Sequence, residues 1–444
     1  MPHNKNNKIQ NRSTIELKGR NLDSVSIATE LLRRSVPRVS RILDSSGFRG
    51  DGLYREYVGV LKSIYPYSDE RDLDSIFVAH TVIQILVRIA SGRILYGERD
   101  PLELCLGDWA WEHGLSIPHL LWWRDLIGSS RDFILDLCRS IAKALEPMDG
   151  RSIYSGDLFE RSYEKLVGRD KRYYGGEYYT PKWLADLVLR RLEGYGGSLA
   201  GRALLDPACG CGVFLVEALA RKIEDGEDPM KAYRRISGLD INPAMILASR
   251  ARLLISLKAI AGFEPRGRPE IYQGDFVGEM LSILNPRYRE TLETPRLGDL
   301  YSSEYIESLA MGRIEKLDSV TTNPPWVKIN ELPRRGAGLV IRDYIKRNIV
   351  DRYKREIPGI SRAVWRGDLS LLFIDLLLEI MKKGYIGAVL PANQTYSGYI
   401  TSHGAGKMLT LAIIRRRELE GEILYVGDIF RHGVPASIAI LYKR

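Results

Sequence analysis

The chain has 444 residues, 45% of them hydrophobic, enough to bury a sizeable core and more than one small domain needs. Lys and Arg number 65 against 56 Asp and Glu, a formal net charge of +9 that fits a nucleic-acid partner without requiring one. Of four cysteines, Cys105 and Cys138 stand alone and Cys209 and Cys211 share one glycine-rich turn, which excludes a secreted disulfide scaffold and points to a reducing compartment.

Residues 1–22 are rich in Asn, Lys and Arg with no periodicity that could bury a face, so they read as a disordered polar tail. They hold no apolar signal core, and no later run approaches the roughly 20 apolar residues that span a bilayer. The expectation is a cytoplasmic protein with no membrane partner. Over 23–166 apolar positions recur at helical spacing, as at Ile76, Val82, Ile83, Leu86, Val87 and Ile89, with Asp and Ser residues placed to cap, and a helical domain is expected there.

From 167 onwards short β-rich runs alternate with helical ones, the pattern of a parallel sheet covered by helices, an α/β doubly wound domain running to 444. Strands are expected at 203–206, 236–240, 270–272, 317–322, 385–390, 423–426 and 437–442. Two long segments interrupt the alternation, at 279–316 and 327–367, and such excursions often carry function. The second holds eleven Lys or Arg against four acids. Its cations, among them Lys328, Arg334, Arg335, Arg342, Lys346 and Arg347, suit an arm facing phosphates, where they would release counterions, and equally suit a solvated helical face with ion pairs.

After the apolar run at 203–205 comes the turn Asp206-Pro207-Ala208-Cys209-Gly210-Cys211-Gly212, in which Gly210 and Gly212 have no Cβ to keep a ligand from the backbone. Asp240 closes the next strand, followed by Ile241, where a carboxylate can accept hydrogen bonds from both ribose hydroxyls. A lone glycine turn is weak evidence, and this pairing strengthens it. The following strand ends at Asp275-Phe276. Upstream, Tyr178-Tyr179-Thr180-Pro181 precedes an apolar helical series, with Thr180 as N-cap and Pro181 as first helical residue. Cys209 and Cys211 lack the further ligands a structural zinc site needs, so no metal is expected.

Asn323-Pro324-Pro325-Trp326 follows a strand and presents a side-chain amide and a proline-fixed carbonyl beside an aromatic face. These segments, in this order, resemble the γ-type S-adenosylmethionine-dependent N6-adenine DNA methyltransferases of restriction-modification systems. The resemblance runs from about Gly175 to the C-terminus and takes in Asp368-Leu369-Ser370-Leu371-Leu372-Phe373, the strand ending in Pro391-Ala392-Asn393, and a late segment containing Phe430. Cys211 departs from the hydroxyl residue common at its position.

The resemblance implies a Rossmann-like, seven-stranded methyltransferase sheet behind the N-terminal helical domain. It places S-adenosyl-L-methionine against Tyr179, Thr180, Pro181, Asp206, Pro207, Ala208, Gly210, Gly212, Asp240, Ile241, Asp275 and Phe276, with Asp275 at the adenine amino group. Asn323, Pro324, Pro325 and Trp326 form the catalytic turn, and a target adenine rotated out of double-stranded DNA stacks on Trp326 with Phe430 on its other side. Four readings stay open beside it: N4-cytosine methylation, an RNA substrate, a non-catalytic DNA-binding subunit, and a separate specificity or nuclease subunit supplying site recognition.

Overall fold

The computed structural model describes residues 23–443 apart from 98, 263–264, 266, 293–295, 311–316, 335, 352–354, 356–359, 366, 393–418 and 431–434. The tail at 1–22, Arg335 and Asn393 therefore lie outside the described residues.

The N-terminal part is helical, as its 3.6-residue periodicity dictates. Asp23, Asp51, Asp69, Asp100 and Asp149 each cap a helix start with a carboxylate accepting a backbone N–H of the first turn. The longest helix, Glu70–Tyr96, is apolar on nearly every face because it runs through the middle of the other helices. By length and composition alone it could cross a membrane, which corrects the expectation that no run comes near that size. Its most apolar 18-residue window is 89% buried inside the protein. Cys105 and Cys138, isolated in the sequence, meet in this core with their Sγ atoms 2.8 Å apart.

Seven strands follow: β1 (Ala203–Asp206), β2 (Ile236–Asp240), β3 (Glu270–Gln273), β4 (Leu317–Thr322), β5 (Gly384–Pro391), β6 (Glu420–Gly427) and β7 (Ala436–Lys443). All seven fall where the sequence placed them, with ends moved by up to three residues. They form one sheet in the order β3-β2-β1-β4-β5-β7-β6. Pairing is parallel from β3 through β5, and β7 runs antiparallel to both β5 and β6.

Successive residues of a strand point to opposite faces, so Leu204 enters one core and Leu205 the other. On the first face lie the helices Lys182–Gly196, Val213–Glu224 and Pro243–Ala261, and the N-terminal helices share that core without a break. On the second lie Phe276–Leu284, Gly336–Ile345 and Leu369–Ile380. Two buried arginines stitch the halves together. Arg250 donates to the carbonyls of Gly114 and Ile271, and Arg252 donates to those of Tyr154 and Gly156 and pairs with Glu160.

Strand order reverses between β1, which leads outward to β2, and β4, which leads to β5. The chain therefore leaves the carboxyl ends of these neighbours in opposite directions, and a crevice opens between them. Asp206 ends β1 and Asn323 directly follows β4 at that crevice.

Candidate functional site

A cleft of about 740 Å³ occupies the switch point, a size that accommodates a nucleoside-bearing ligand. Pro207, Ala208 and Gly210 line it from the turn after β1, Asp240 and Ile241 from β2, Asp275 and Phe276 from β3, and Asn323 and Pro325 from β4. The segment before the helix Lys182–Gly196 crosses it with Gly176, Glu177, Tyr178 and Tyr179.

The turn is built on glycines with positive φ, +50° at Gly210 and +80° at Gly212, a region other residues enter only at a cost. Their roles differ. Gly210 faces the cleft beneath the Tyr179 ring and gives its N–H to Asp240 Oδ2 at 2.8 Å. Gly212 sits behind, caps the helix Val213–Glu224, and is glycine because Ser249 of the helix Pro243–Ala261 crowds it. The sequence suggested that both glycines clear space for a ligand; Gly210 lines the cleft and Gly212 does not.

Asp240 is held by its own surroundings, with Oδ1 accepting from Asn242 N–H at 2.8 Å. Burial pushes its carboxyl up to about 6, against the pull of those two backbone donors. Asp206 is 1% exposed and accepts from Ala208 N–H at 3.1 Å. Burial raises it further, to about 8. Asp275 occupies the N-cap position of Phe276–Leu284, and burial raises its carboxyl also. Asp240 and Asp275 thus line the cleft and Asp206 a small pocket beside it, all three with their charge incompletely supported, a pattern concentrated at functional sites.

Thr180 is buried but does not cap the following helix. The cap position falls to Pro181 with extended backbone angles, and the helix begins at Lys182. The shift follows from Pro181 ψ of 146°, which holds that residue outside the helical region.

Asn323 is fixed by one contact: its Nδ2 donates to the Tyr178 carbonyl at 2.8 Å. That bond orients the amide so that Oδ1 is buried with no hydrogen-bond partner. A buried acceptor left bare costs free energy unless something else fills it, so the atom marks a place for a donor. Pro324 and Trp326 are buried, while Pro325 packs at the cleft wall close to Gly176.

The aromatic arrangement differs from the one the sequence suggested. Trp326 is only 6% exposed, lies tilted on Tyr178 at 5.2 Å, and meets Phe430 edge-on at 4.9 Å and 86°. A base held between two faces keeps the two rings out of contact with each other. Trp326 and Phe430 touch instead, because both complete the core cluster on the first face of the sheet.

The insertion after β4 walls the cleft through Val327, Leu332, Pro333, Gly336 and Ile341. Its cations divide. Arg342 donates to the Asn330 and Leu332 carbonyls at 2.8 and 2.9 Å and is structural. Arg347 pairs with Asp343 at 2.9 Å on an exposed face. Lys346 and Arg334 are exposed, and Lys328 is half-buried in a bridge to Asp368.

No motif pointed to a network of buried polar groups around Glu177. Glu177 Oε1 accepts from Tyr65 Oη at 2.8 Å, Asn242 Nδ2 at 2.9 Å and Tyr163 Oη at 3.2 Å. Tyr65 lies 112 residues away along the chain, Asn242 65 and Tyr163 14, each on a separate element, so no local signal links all of them. The one clue was Asn242-Pro243, an N-cap followed by a helix-starting proline.

With this geometry in view, residues 154–262 match the family model described as N-6 DNA methylase. The likeness to that family covers this segment of the chain. The matched segment carries Tyr163, Glu177, the glycine turn, Asp240 and Asn242, and it begins within the helices placed in the N-terminal domain. The methylase subunit of the type I restriction enzyme MjaIX from Methanocaldococcus jannaschii is 34% identical over 102 residues, 22% of this chain and 17% of that protein. Among solved structures, a DrdV–DNA complex superposes with a TM-score of 0.62 at 15% identity, covering 95% of this chain and 42% of that one. A nuclease-deletion mutant of the type ISP restriction-modification enzyme LlaGI, bound to a DNA substrate mimic, gives 0.60 at 17%, covering 96% and 35%. The chain thus spans less than half the length of each, and at these identities the two structures establish the shared fold.

Proposed function

We propose that the chain transfers the methyl group of S-adenosyl-L-methionine to the N6 amino group of adenine in double-stranded DNA, within a restriction-modification or DNA-marking system. The observation that carries this is the bare, buried Oδ1 of Asn323, whose amide the Tyr178 carbonyl fixes and which lines the same cleft as the Gly210 turn. The methylase segment and the DNA-bound state of the DrdV and LlaGI structures support the substrate class.

The cleft's residues fit the cofactor: Gly210 leaves its turn open, and Asp240 and Asp275 offer acceptors where a ribose and an adenine amino group need them. Bound there, the cofactor supplies an electrophilic methyl carbon on a sulfonium. An exocyclic amine is a poor nucleophile because its lone pair is conjugated into the ring. Asn323 Oδ1 and the Pro324 carbonyl each accept one amino hydrogen, favour a pyramidal nitrogen and stabilise the positive charge that grows on it. Pro325 and the preceding proline restrict the backbone, so the acceptors stand ready before the base arrives.

The target base must leave its stack to reach this depth. Stacking on Trp326 requires the Phe430 edge to withdraw, and stacking contributes about 1–3 kcal/mol per base against the cost of unpairing. Residues 23–166 serve as a helical domain and 167–444 as the catalytic domain, with Arg334, Lys346 and Arg347 placed to meet phosphates. Because the curated relative is a subunit, site recognition and cleavage are assigned to separate partners.

The deciding experiment incubates purified protein with cofactor and unmethylated duplex DNA, then digests the DNA for nucleoside mass spectrometry. N6-methyladenine is the expected product. N4-methylcytosine, methylation of RNA alone, or no modified nucleoside would each overturn the proposal.

A further inference from the structure

Glu177 is the carboxylate that the proposed chemistry leaves unused, and its two oxygens have different surroundings. Oε1 is saturated by three donors, two of them the hydroxyls of Tyr65 and Tyr163 from the N-terminal helices. Oε2 is buried and has no hydrogen-bond partner, although the residue lines the main cleft. Asn242 joins it to the neighbouring acid: the Asn242 side chain donates to Glu177 at 2.9 Å while its backbone N–H donates to Asp240 at 2.8 Å.

Asp240 enters the cleft already committed, since each of its oxygens accepts a backbone N–H. A ribose diol presents two hydroxyl donors, and one partly engaged carboxylate is a poor match for both. The geometry points to Glu177 as a second ribose acceptor, its free Oε2 taking a hydrogen bond from one hydroxyl of the nucleoside cofactor while Asp240 takes the other. This rests on the cofactor reading above and extends it to a residue on a different segment.

Two consequences follow from the same bonds. The ribose is gripped from both sides, by β2 and by the segment that crosses the cleft. Because Tyr65 and Tyr163 hold Oε1, the aim of Oε2 depends on the N-terminal helices being docked, and cofactor affinity reports on that docking. Burial pushes the Glu177 carboxyl up to about 7, the condition of an acid that lacks a donor at one oxygen.

The test measures calorimetric affinity of the full chain for S-adenosylhomocysteine and for its 2′-deoxy and 3′-deoxy analogues, in the wild type and in Glu177→Gln. Glutamine keeps an acceptor for the tyrosines and places a donor where Oε2 stood. The wild type should lose about tenfold or more for one deoxy analogue, as expected for a hydrogen bond to a charged group. E177Q should lose as much for the parent ligand and show no further loss for that analogue. Should E177Q fold poorly in a thermal melt, Glu177→Asp, which keeps the charge and shortens the reach, must show the same missing penalty.

Unchanged affinity in E177Q overturns the inference, and so does weakened affinity with the deoxy penalty intact, which is what a purely structural role would give. A wild type that binds neither parent nor analogue instead removes the cofactor reading, a failure recognisable because it appears before any variant is compared.

Discussion

Ser249 Oγ stands 2.5 Å from where a β-carbon on Gly212 would lie. The turn that carries the candidate cofactor site is thereby locked onto the helix Pro243–Ala261, and Gly212 is required twice, for its φ of +80° and for this approach. Gly212→Ala should destabilise the fold by about 1–3 kcal/mol from backbone strain alone, with a further loss from the clash. In urea denaturation, Gly212→Ala/Ser249→Ala should recover the part due to the hydroxyl and keep the strain. Full recovery in the double variant would show that φ is not strained there.

Asn323→Ala removes both the tie to Tyr178 and the bare acceptor. Loss of one preset electrostatic contact at a reacting group costs about 10²–10³ in rate, and that is the expected fall in single-turnover methylation. Cofactor affinity should stay nearly unchanged, because Asn323 follows β4 while the proposed acceptors Asp240 and Asp275 stand at the ends of β2 and β3. Rapid-quench kinetics with calorimetry separates the two quantities, and activity close to wild type would remove Asn323 from the chemistry.

The pH dependence of stability follows from Asp206. Burial raises its folded pKa to about 8, above the ordinary 3.8, so the native state binds more protons than the unfolded state across that interval. Stability from this group is complete below the unfolded pKa and is lost as pH rises through about 8. Asp206→Asn cannot ionise, so its denaturation midpoint should fall less than that of the wild type between pH 5 and 8. Parallel pH curves for the two proteins would contradict the assigned shift.

Arg252 is 2% exposed and pairs with Glu160 while also reaching the Tyr154 and Gly156 carbonyls. Removing one member of such a buried pair strands the other charge, a loss of about 3–5 kcal/mol. Arg252→Met should show it in urea titrations, and Arg252→Met/Glu160→Gln should recover a substantial share. The double variant will not be neutral, because the two carbonyls lose their donor as well.

Periodicity carried most of the fold. The two-residue alternation in Leu204-Leu205 and the 3.6-residue spacing from Ile76 to Ile89 are properties of neighbours in the chain, so strands and helices were legible. Asn323, Asp240 and Gly210 were also legible, since each sits in a short motif at a strand end. Glu177 was not legible, because its meaning comes from Tyr65, Tyr163 and Asn242, which only tertiary packing brings together. The same holds for Cys105 and Cys138, solitary in sequence and adjacent in the core. The Trp326–Phe430 edge contact was not legible either, because a motif names an aromatic without fixing which way its ring faces.

The cations of the insertion should divide in solution as they do in the structure. Lys346 is exposed, so Lys346→Ala should weaken duplex binding across sequences and reduce the slope of log K against log salt by about 1 if it meets a phosphate. Arg347→Ala should act less, because its guanidinium is already shared with Asp343 at 2.9 Å. Arg342→Ala should leave the salt slope alone and lower thermal stability instead, since it strands the Asn330 and Leu332 carbonyls, the second of them from a residue that walls the cleft. Fluorescence anisotropy at several salt concentrations, paired with thermal melts, reads both effects. An unchanged slope for Lys346→Ala and Arg347→Ala together would move the nucleic-acid surface away from this insertion, because exposed cations that touch phosphate cannot be removed without changing the number of ions released.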